Sequence, residues 1–523
     1  MLDPETMHAL DEQRNFVQSL VEQGTISEEA ALSATALIAG VALGPPMVLG
    51  SWVGRGLLAR LPERAFSGPS QRRGEYKPYI YTSRDVAFLP LSPLQLCRWN
   101  PRKGVMDYRK RIADHELERR LTAMGGVVVE GPKACGKTAT ARQHCASEVL
   151  LDVDETARGA IGFDPGLVLA GATPRLIDEW QVAPEIWNHV RRAIDDRQEP
   201  GQFILTGSAV PADDAVRHTG AGRLTRLRMR PMSLFELGAS TGEVSLGAVL
   251  AGELERGARS ALETDALFEH VSVGGWPGHL RRARSASLQA NRDYLEEVRR
   301  VDITRVDGVS RDPERVARFL RSYARNVATH ASMATMAADT GGAEDPLKDH
   351  TALEYASALT RLMIVEDQPA WAPHLRSKSI LRSAPKRHLV DPSLAVAALR
   401  TGPEQLRNDL ELFGLLFESL VVRDLRVYAQ AADADVYHYR DNTGLEIDAI
   451  VSTHAGPWAA FEVRLGGEAR IDQAAANLLK FRDRVDTDRS GEPAALAVIV
   501  GSGPYAFRRE DGIWVLPIGV CGP

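Results

Sequence analysis

Eight consecutive residues, Gly131-Pro132-Lys133-Ala134-Cys135-Gly136-Lys137-Thr138, combine two glycines, an ammonium and a hydroxyl at a spacing suited to holding a phosphate chain. Gly131 and Gly136 allow backbone angles that residues with a Cβ avoid, so successive N–H groups between them can turn inward toward phosphate oxygens. Lys137 would reach the β and γ phosphates of ATP as a compact point charge, and the Thr138 hydroxyl would ligate Mg²⁺. Pro132, Lys133, Ala134 and Cys135 would contribute backbone to the cradle, with Cys135 read as a loop filler rather than a nucleophile.

Such a cradle works only between a strand and a helix. Val127, Val128 and Val129 form a β-branched run directly upstream, and a helix expected over Thr138–Ala146 would point its positive end at the same anion. Further strands are expected at Val149–Val153, at a run ending in Arg175-Leu176-Ile177-Asp178-Glu179, and at Phe203–Leu205. Asp178 and Glu179 at a strand's carboxyl end are what nucleotide hydrolysis needs: one carboxylate for Mg²⁺, the other to orient or deprotonate the attacking water. Thr206, in Thr206-Gly207-Ser208, stands either as a sensor of the γ phosphate or as a plain strand-ending turn. Arg223 is a candidate transition-state arginine of the kind supplied by a neighbouring subunit, which would require a homo-oligomer.

At 523 residues the chain is long enough for several domains. A formal net charge of −6 argues against a globally basic nucleic-acid binder while leaving local patches open. Cys97, Cys135, Cys145 and Cys521 show neither CxxC pairing nor zinc spacing and read as reduced, cytoplasmic thiols. Residues 1–60 read as a helical extension. Within it Ala31–Gly54 carries no charge, but its small residues and the Gly44-Pro45-Pro46 break favour a buried or partner-facing hairpin over a membrane span. Residues 61–105, rich in proline, read as an irregular linker.

GPKACGKT, LIDEWQ, FILTGS, GRLTRLRMRPMSLFELG and HVSVGGWPG together resemble the bacterial and archaeal AAA-type ATP-binding proteins that carry a C-terminal domain of unknown function. The resemblance begins near Met106. It implies an α/β P-loop ATPase domain over residues 106–295, with Lys137, Asp178 and Glu179 in their usual roles and ATP and Mg²⁺ as ligands. It leaves the cellular role open between a nucleic acid and a protein partner.

Beyond it, residues 296–390 read as a helical domain: Glu314–Ala328, Ser332–Ala338 and Asp349–Leu362 close on an extended Met363–Val365, the order of a winged helix. Arg376, Lys378, Arg382, Lys386 and Arg387 crowd the segment where a wing would touch DNA phosphates. In residues 391–523 a long helix, Gln405–Tyr428, precedes FES, LEIDAIV and FEVRLGG, and the whole resembles a PD-(D/E)xK nuclease-like fold. That resemblance implies metal ligands at Glu418, Asp448 and Glu462, with Arg464 where the family has lysine. A guanidinium stays protonated and cannot share a proton with water, so a degenerate fold used for binding or assembly is expected rather than an ATP-regulated nuclease. The third reading is a membrane-tethered or partner-recruiting ATPase scaffold, motivated by the uncharged run.

Overall fold

A computed structural model describes residues 108–523, apart from 209–218, 342–344 and 373–383. The N-terminal extension, its uncharged run, the linker, Cys97, and Arg376, Lys378 and Arg382 therefore lie outside the described residues. No helix among the described residues is long and apolar enough to cross a membrane.

Five strands, β1 (Gly126–Glu130), β2 (Ser147–Leu150), β3 (Arg175–Asp178), β4 (Phe203–Gly207) and β5 (Leu224–Arg228), form one parallel sheet in the order β2-β3-β4-β1-β5. The valine run of β1 explains its central place, because a parallel sheet is covered on both faces and needs apolar side chains on both. Val127 and Val129 face Leu117 and Leu121 of α1 (Ile112–Ala123) and Ala141 of α2 (Lys137–His144). Val128 faces the other way, toward Trp187, Val190 and Ile194 of α3 (Ile186–Arg197). All three valines are fully buried, each contributing on the order of 1.5–3 kcal/mol of apolar transfer. Pairing of Asp178 with Thr206 and of Glu130 with Gly207 brings the carboxyl ends of β1, β3 and β4 to one edge.

The helical segment follows, with α4 (Thr264–Val273), α5 (Arg284–Glu297) and a π-helical turn at Val298–Asp302. The expected trio is present as α6 (Pro313–Arg325), α7 (Met333–Ala338) and α8 (Asp349–Arg361). Asp312 caps α6 by accepting from the N–H of Glu314, Pro313 occupies the first turn, and Val316, Phe319, Leu320 and Tyr323 form its buried stripe. Antiparallel bridges Val365–Leu389 and Gln368–Lys386 then bring two extended stretches together.

The C-terminal part opens with α9 (Pro392–Ala398) and α10 (Leu410–Ala431), the latter shorter at its start than expected because Pro403–Leu406 forms a separate turn of helix. A parallel pair formed by β6 (Val244–Ser245) and β13 (Cys521–Gly522) ties it to the preceding segment. Its own sheet has β7 (Ala434–Arg440), β8 (Glu446–Thr453), β9 (Trp458–Arg464), β10 (Ala495–Val500), β11 (Phe507–Arg508) and β12 (Trp514–Pro517) in the order β11-β12-β10-β9-β8-β7. β7, β8 and β9 run antiparallel, and β10 is parallel to both β9 and β12. Helix α10 covers one face, and α11 (Glu468–Arg482) covers the other through Ala474, Leu478 and Phe481. One apolar core runs from Leu234 and Trp276 through Phe319 and Tyr323 to Phe417 and Phe461, so the helical segment and the C-terminal sheet share it.

Candidate functional site

The loop from β1 to α2 has the geometry of a phosphate cradle. A Cβ on Gly131 would lie 2.2 Å from the carbonyl oxygen of Met229, and Gly136 has φ +103°, so neither position admits another residue without strain. Lys137 is buried, and its Nζ donates to the carbonyls of Gly131 and Pro132, 2.9 Å from each. The N–H groups of the first turn of α2 have no acceptor within the helix and remain for an anion.

Arg111, fully buried, braces the loop from behind. Its Nη1 donates to the carbonyl of Cys135 at 2.9 Å and its Nε to Glu236 at 2.9 Å. Cys135 is a packing residue whose Sγ lies 3.7 Å from the Met229 carbonyl. The Lys133 ammonium is turned outward onto Asp302, 2.6 Å away in the π-helical turn.

The carboxyl ends of β3 and β4 complete the site. Oδ1 of Asp178 accepts from the Thr138 hydroxyl at 2.9 Å and also from the Thr206 hydroxyl. Glu179 adopts φ +53°, a left-handed conformation costing roughly 1–2 kcal/mol that turns its side chain out of the strand direction. Its carboxylate is held by two donors, Ser208 Oγ at 3.1 Å and Gln181 Nε2. Thr138, Asp178 and Thr206 therefore do meet, with Glu179 next in the chain to Asp178, and the hard oxygens of Thr138 and Asp178 are the donor chemistry Mg²⁺ takes. Arg223 does not join them. It precedes β5, at the amino edge of the sheet, where its Nε binds Asp195 at 2.7 Å. Since the cradle lies at the carboxyl edge, Arg223 has no place in this chain's own site.

In the C-terminal part, Glu418, Asp448 and Glu462 also converge, on α10, β8 and β9, and Glu446 of β8 joins them. A cation already lies among them. Lys386 Nζ is 2.6 Å from Glu418, 2.8 Å from Glu446 and 3.0 Å from Asp448, with the side chain 1% exposed. Arg464 bridges two of the carboxylates, 2.9 Å from Oδ2 of Asp448 and 2.5 Å from Oε2 of Glu462. Burial works against the Lys386 ammonium, yet the charges of Glu418, Asp448 and Glu446 raise its pKa well above the ordinary lysine value. Burial, together with the charge of Asp448, pushes Glu418 up to about 8. Glu446 moves the other way: against burial, His330 and Lys386 hold it down to about 2.

Two expectations are corrected here. A metal at Glu418, Asp448 and Glu462 does not fit, because the Lys386 ammonium and the Arg464 guanidinium already pair with these carboxylates; among the described residues no group of three or more His, Cys, Asp or Glu could hold one. Lys386 and Arg387 are not phosphate-facing wing residues either. Both are buried, and Arg387 binds Asp367 and the carbonyl of Ala331. Arg111, which braces the loop, is the residue at this site that sequence reasoning did not name, and Lys386 was named only as one basic residue of a wing. Gln181 and Ser208 end the stretches LIDEWQ and FILTGS without being given a role there, whereas nothing local to Lys386 signals its carboxylate partners.

The parallel sheet with a glycine-framed loop between β1 and α2 is the α/β architecture of a P-loop domain. A family model described as an AAA domain matches residues 125–238. Models of two domains of unknown function match further stretches, DUF8612 over residues 264–405 and DUF4143 over residues 413–521. Two uncharacterized proteins, from Mycobacterium bovis and Mycobacterium tuberculosis, are each 23% identical over 423 residues, covering 80% of this chain and 85% of theirs. A solved Walker-type ATPase of Pyrococcus abyssi is 14% identical, with a TM-score of 0.35, over 56% of this chain and 96% of its own.

Proposed function

We propose that this chain binds and hydrolyses ATP at the β1–α2 loop and transmits the nucleotide state to its C-terminal part. The observation that carries the reading is Oδ1 of Asp178 held between the hydroxyls of Thr138 and Thr206, beside a Glu179 carboxylate fixed by Ser208 and Gln181. Thr138 and Asp178 would hold Mg²⁺, which when bound neutralises charge on the phosphates. Lys137 exchanges its two carbonyl partners for β and γ phosphate oxygens, which removes the need for those weak neutral acceptors. Glu179 accepts a hydrogen bond from the attacking water and aligns it, and Ser208 and Gln181 keep that carboxylate from wandering.

A route outward exists in buried hydrogen bonds. From the Cys135 carbonyl, Arg111 reaches Glu236, whose Oε2 accepts from the Ser233 N–H at 2.9 Å. The next N–H, Leu234, donates to Asp424 of α10 at 3.0 Å, and Arg423 links Asp424 to Asp391 at 2.8 Å. The C-terminal part then acts as a binding and transmission body, with a protein or nucleic-acid partner, rather than as a metal-dependent nuclease. Nucleotide titration and phosphate release on the intact chain test the reading. Lys137→Ala should lose ATP binding and Glu179→Gln should bind ATP without turnover; wild-type turnover by Lys137→Ala would end the proposal.

A further inference from the structure

A second polar cavity, of about 500 Å³, opens between the edge strand β5, the extended stretch around Glu366, and the junction of α10 with β7. Its floor concentrates positive charge. Arg230 forks onto Glu366, with Nη2 at 2.6 Å and Nε at 3.0 Å. Arg228 Nε lies 3.4 Å and Arg426 Nη1 3.8 Å from the same carboxylate. Three guanidiniums thus share one anion. The other acids lining the cavity have partners of their own: Glu116 takes Arg120 and Gln430, Asp367 takes Arg387 and the Tyr323 hydroxyl, and Asp433 and Asp435 at the mouth take His454.

The Arg228 Nε is shielded from solvent and makes no hydrogen bond, and Arg426 is buried, with burial drawing its pKa down to about 10. Three guanidiniums set against one carboxylate in an open cavity, one of them buried, leave positive charge for an anion to meet. A phosphate offers three oxygens and up to two negative charges, enough acceptors for several guanidiniums where one carboxylate offers two oxygens and one charge. The enclosed volume is that of a small-molecule site.

We propose that this cleft binds the phosphate group of a small phosphorylated ligand through Arg228, Arg230 and Arg426, at a place distinct from the β1–α2 cradle. Such a ligand would touch the ATPase sheet, the extended stretch and the C-terminal sheet at once, and so would report on or set their relative fit.

The test is calorimetric titration of inorganic pyrophosphate into the full chain carrying Lys137→Ala, which removes the principal cation of the cradle. Saturable one-to-one binding is expected, weakened tenfold or more when Arg228→Gln is added. Arg228 is the suitable residue because its only charge contact is the long one to Glu366, and an unchanged thermal midpoint shows that the fold is intact. Arg230→Gln should weaken binding as well. Absence of binding, or binding equal with and without Arg228→Gln, would overturn the proposal, as would binding of a single-stranded oligonucleotide but not of pyrophosphate.

Discussion

Lys386 Nζ lies 3.0 Å from Oδ1 of Asp448, where the nuclease-like resemblance would place a metal. It reaches there from an extended stretch that bridges to Gln368 and is joined in sequence to the helical segment. The lysine therefore does two things: it neutralises the acidic centre and it pins that stretch onto the C-terminal sheet. Removing one member of a buried ion cluster leaves uncompensated charge, at a cost of about 3–5 kcal/mol. Lys386→Ala should thus lower the urea midpoint by that equivalent, while Lys386→Ala with Asp448→Asn should recover part of it. Mn²⁺-dependent cleavage of DNA by the wild-type chain, lost in Asp448→Ala, would refute the resident-cation reading.

Ser208 and Gln181 both donate to the Glu179 carboxylate, so under the proposed function they would act on turnover through it. Ser208→Ala should lower kcat by about tenfold to a hundredfold, the usual effect of losing an outer partner of a reacting group, with ATP affinity unchanged. Single-turnover kinetics beside equilibrium nucleotide binding separates the two quantities. An equal loss in both would mean that Ser208 shapes the binding site instead.

Thr206 has a different partner, Asp178, so its removal should register in the metal dependence. Thr206→Val keeps the shape and deletes the donor, and the Mg²⁺ concentration giving half-maximal turnover should rise about tenfold. An unaltered Mg²⁺ profile would reduce Thr206 to a strand-ending residue.

His438 sits fully buried beside His330, with Lys386 and Glu446 near it, and burial first, then His330 and Lys386, pull its pKa down to about 3. The unfolded chain takes up that proton near the ordinary value of about 6.5, so the unfolded state binds more protons between pH 6.5 and 3. Its contribution is complete above pH 6.5 and is lost as pH falls, by about 2 kcal/mol at pH 5. Glu418, held up at about 8, contributes with the opposite sign over the same range. The loss is therefore read as the difference between the wild type and His438→Asn in denaturant unfolding at pH 7 and pH 5, with the variant losing less stability or gaining more as pH falls.

What was legible in the sequence was local. The cradle spans eight residues whose backbone angles and side-chain reach are decided by their immediate neighbours, and the valine run before it could only be a strand covered on both faces. Asp178 and Glu179 were legible for the same reason, since an apolar run ending in acids is a strand end wherever it lies. The starts of helices were read less well than their interiors: α10 begins at Leu410 rather than Gln405 because Asp409 caps it after a separate turn.

Contacts between distant segments belonged to the tertiary structure. Arg223 follows Gly220 and Gly222, and only the sheet shows that it stands just before a parallel edge strand, at the amino edge, a strand length from this chain's own cradle. Lys386 looked like one more basic residue in a basic stretch. Only the fold brings it to carboxylates 32 and 62 residues away, and the same long-range closure sets Arg228 and Arg230 against Glu366. Charge at a single position says nothing of its destination: a buried cation is stable only where enough anions meet it, and strand order and helix packing decide where they meet.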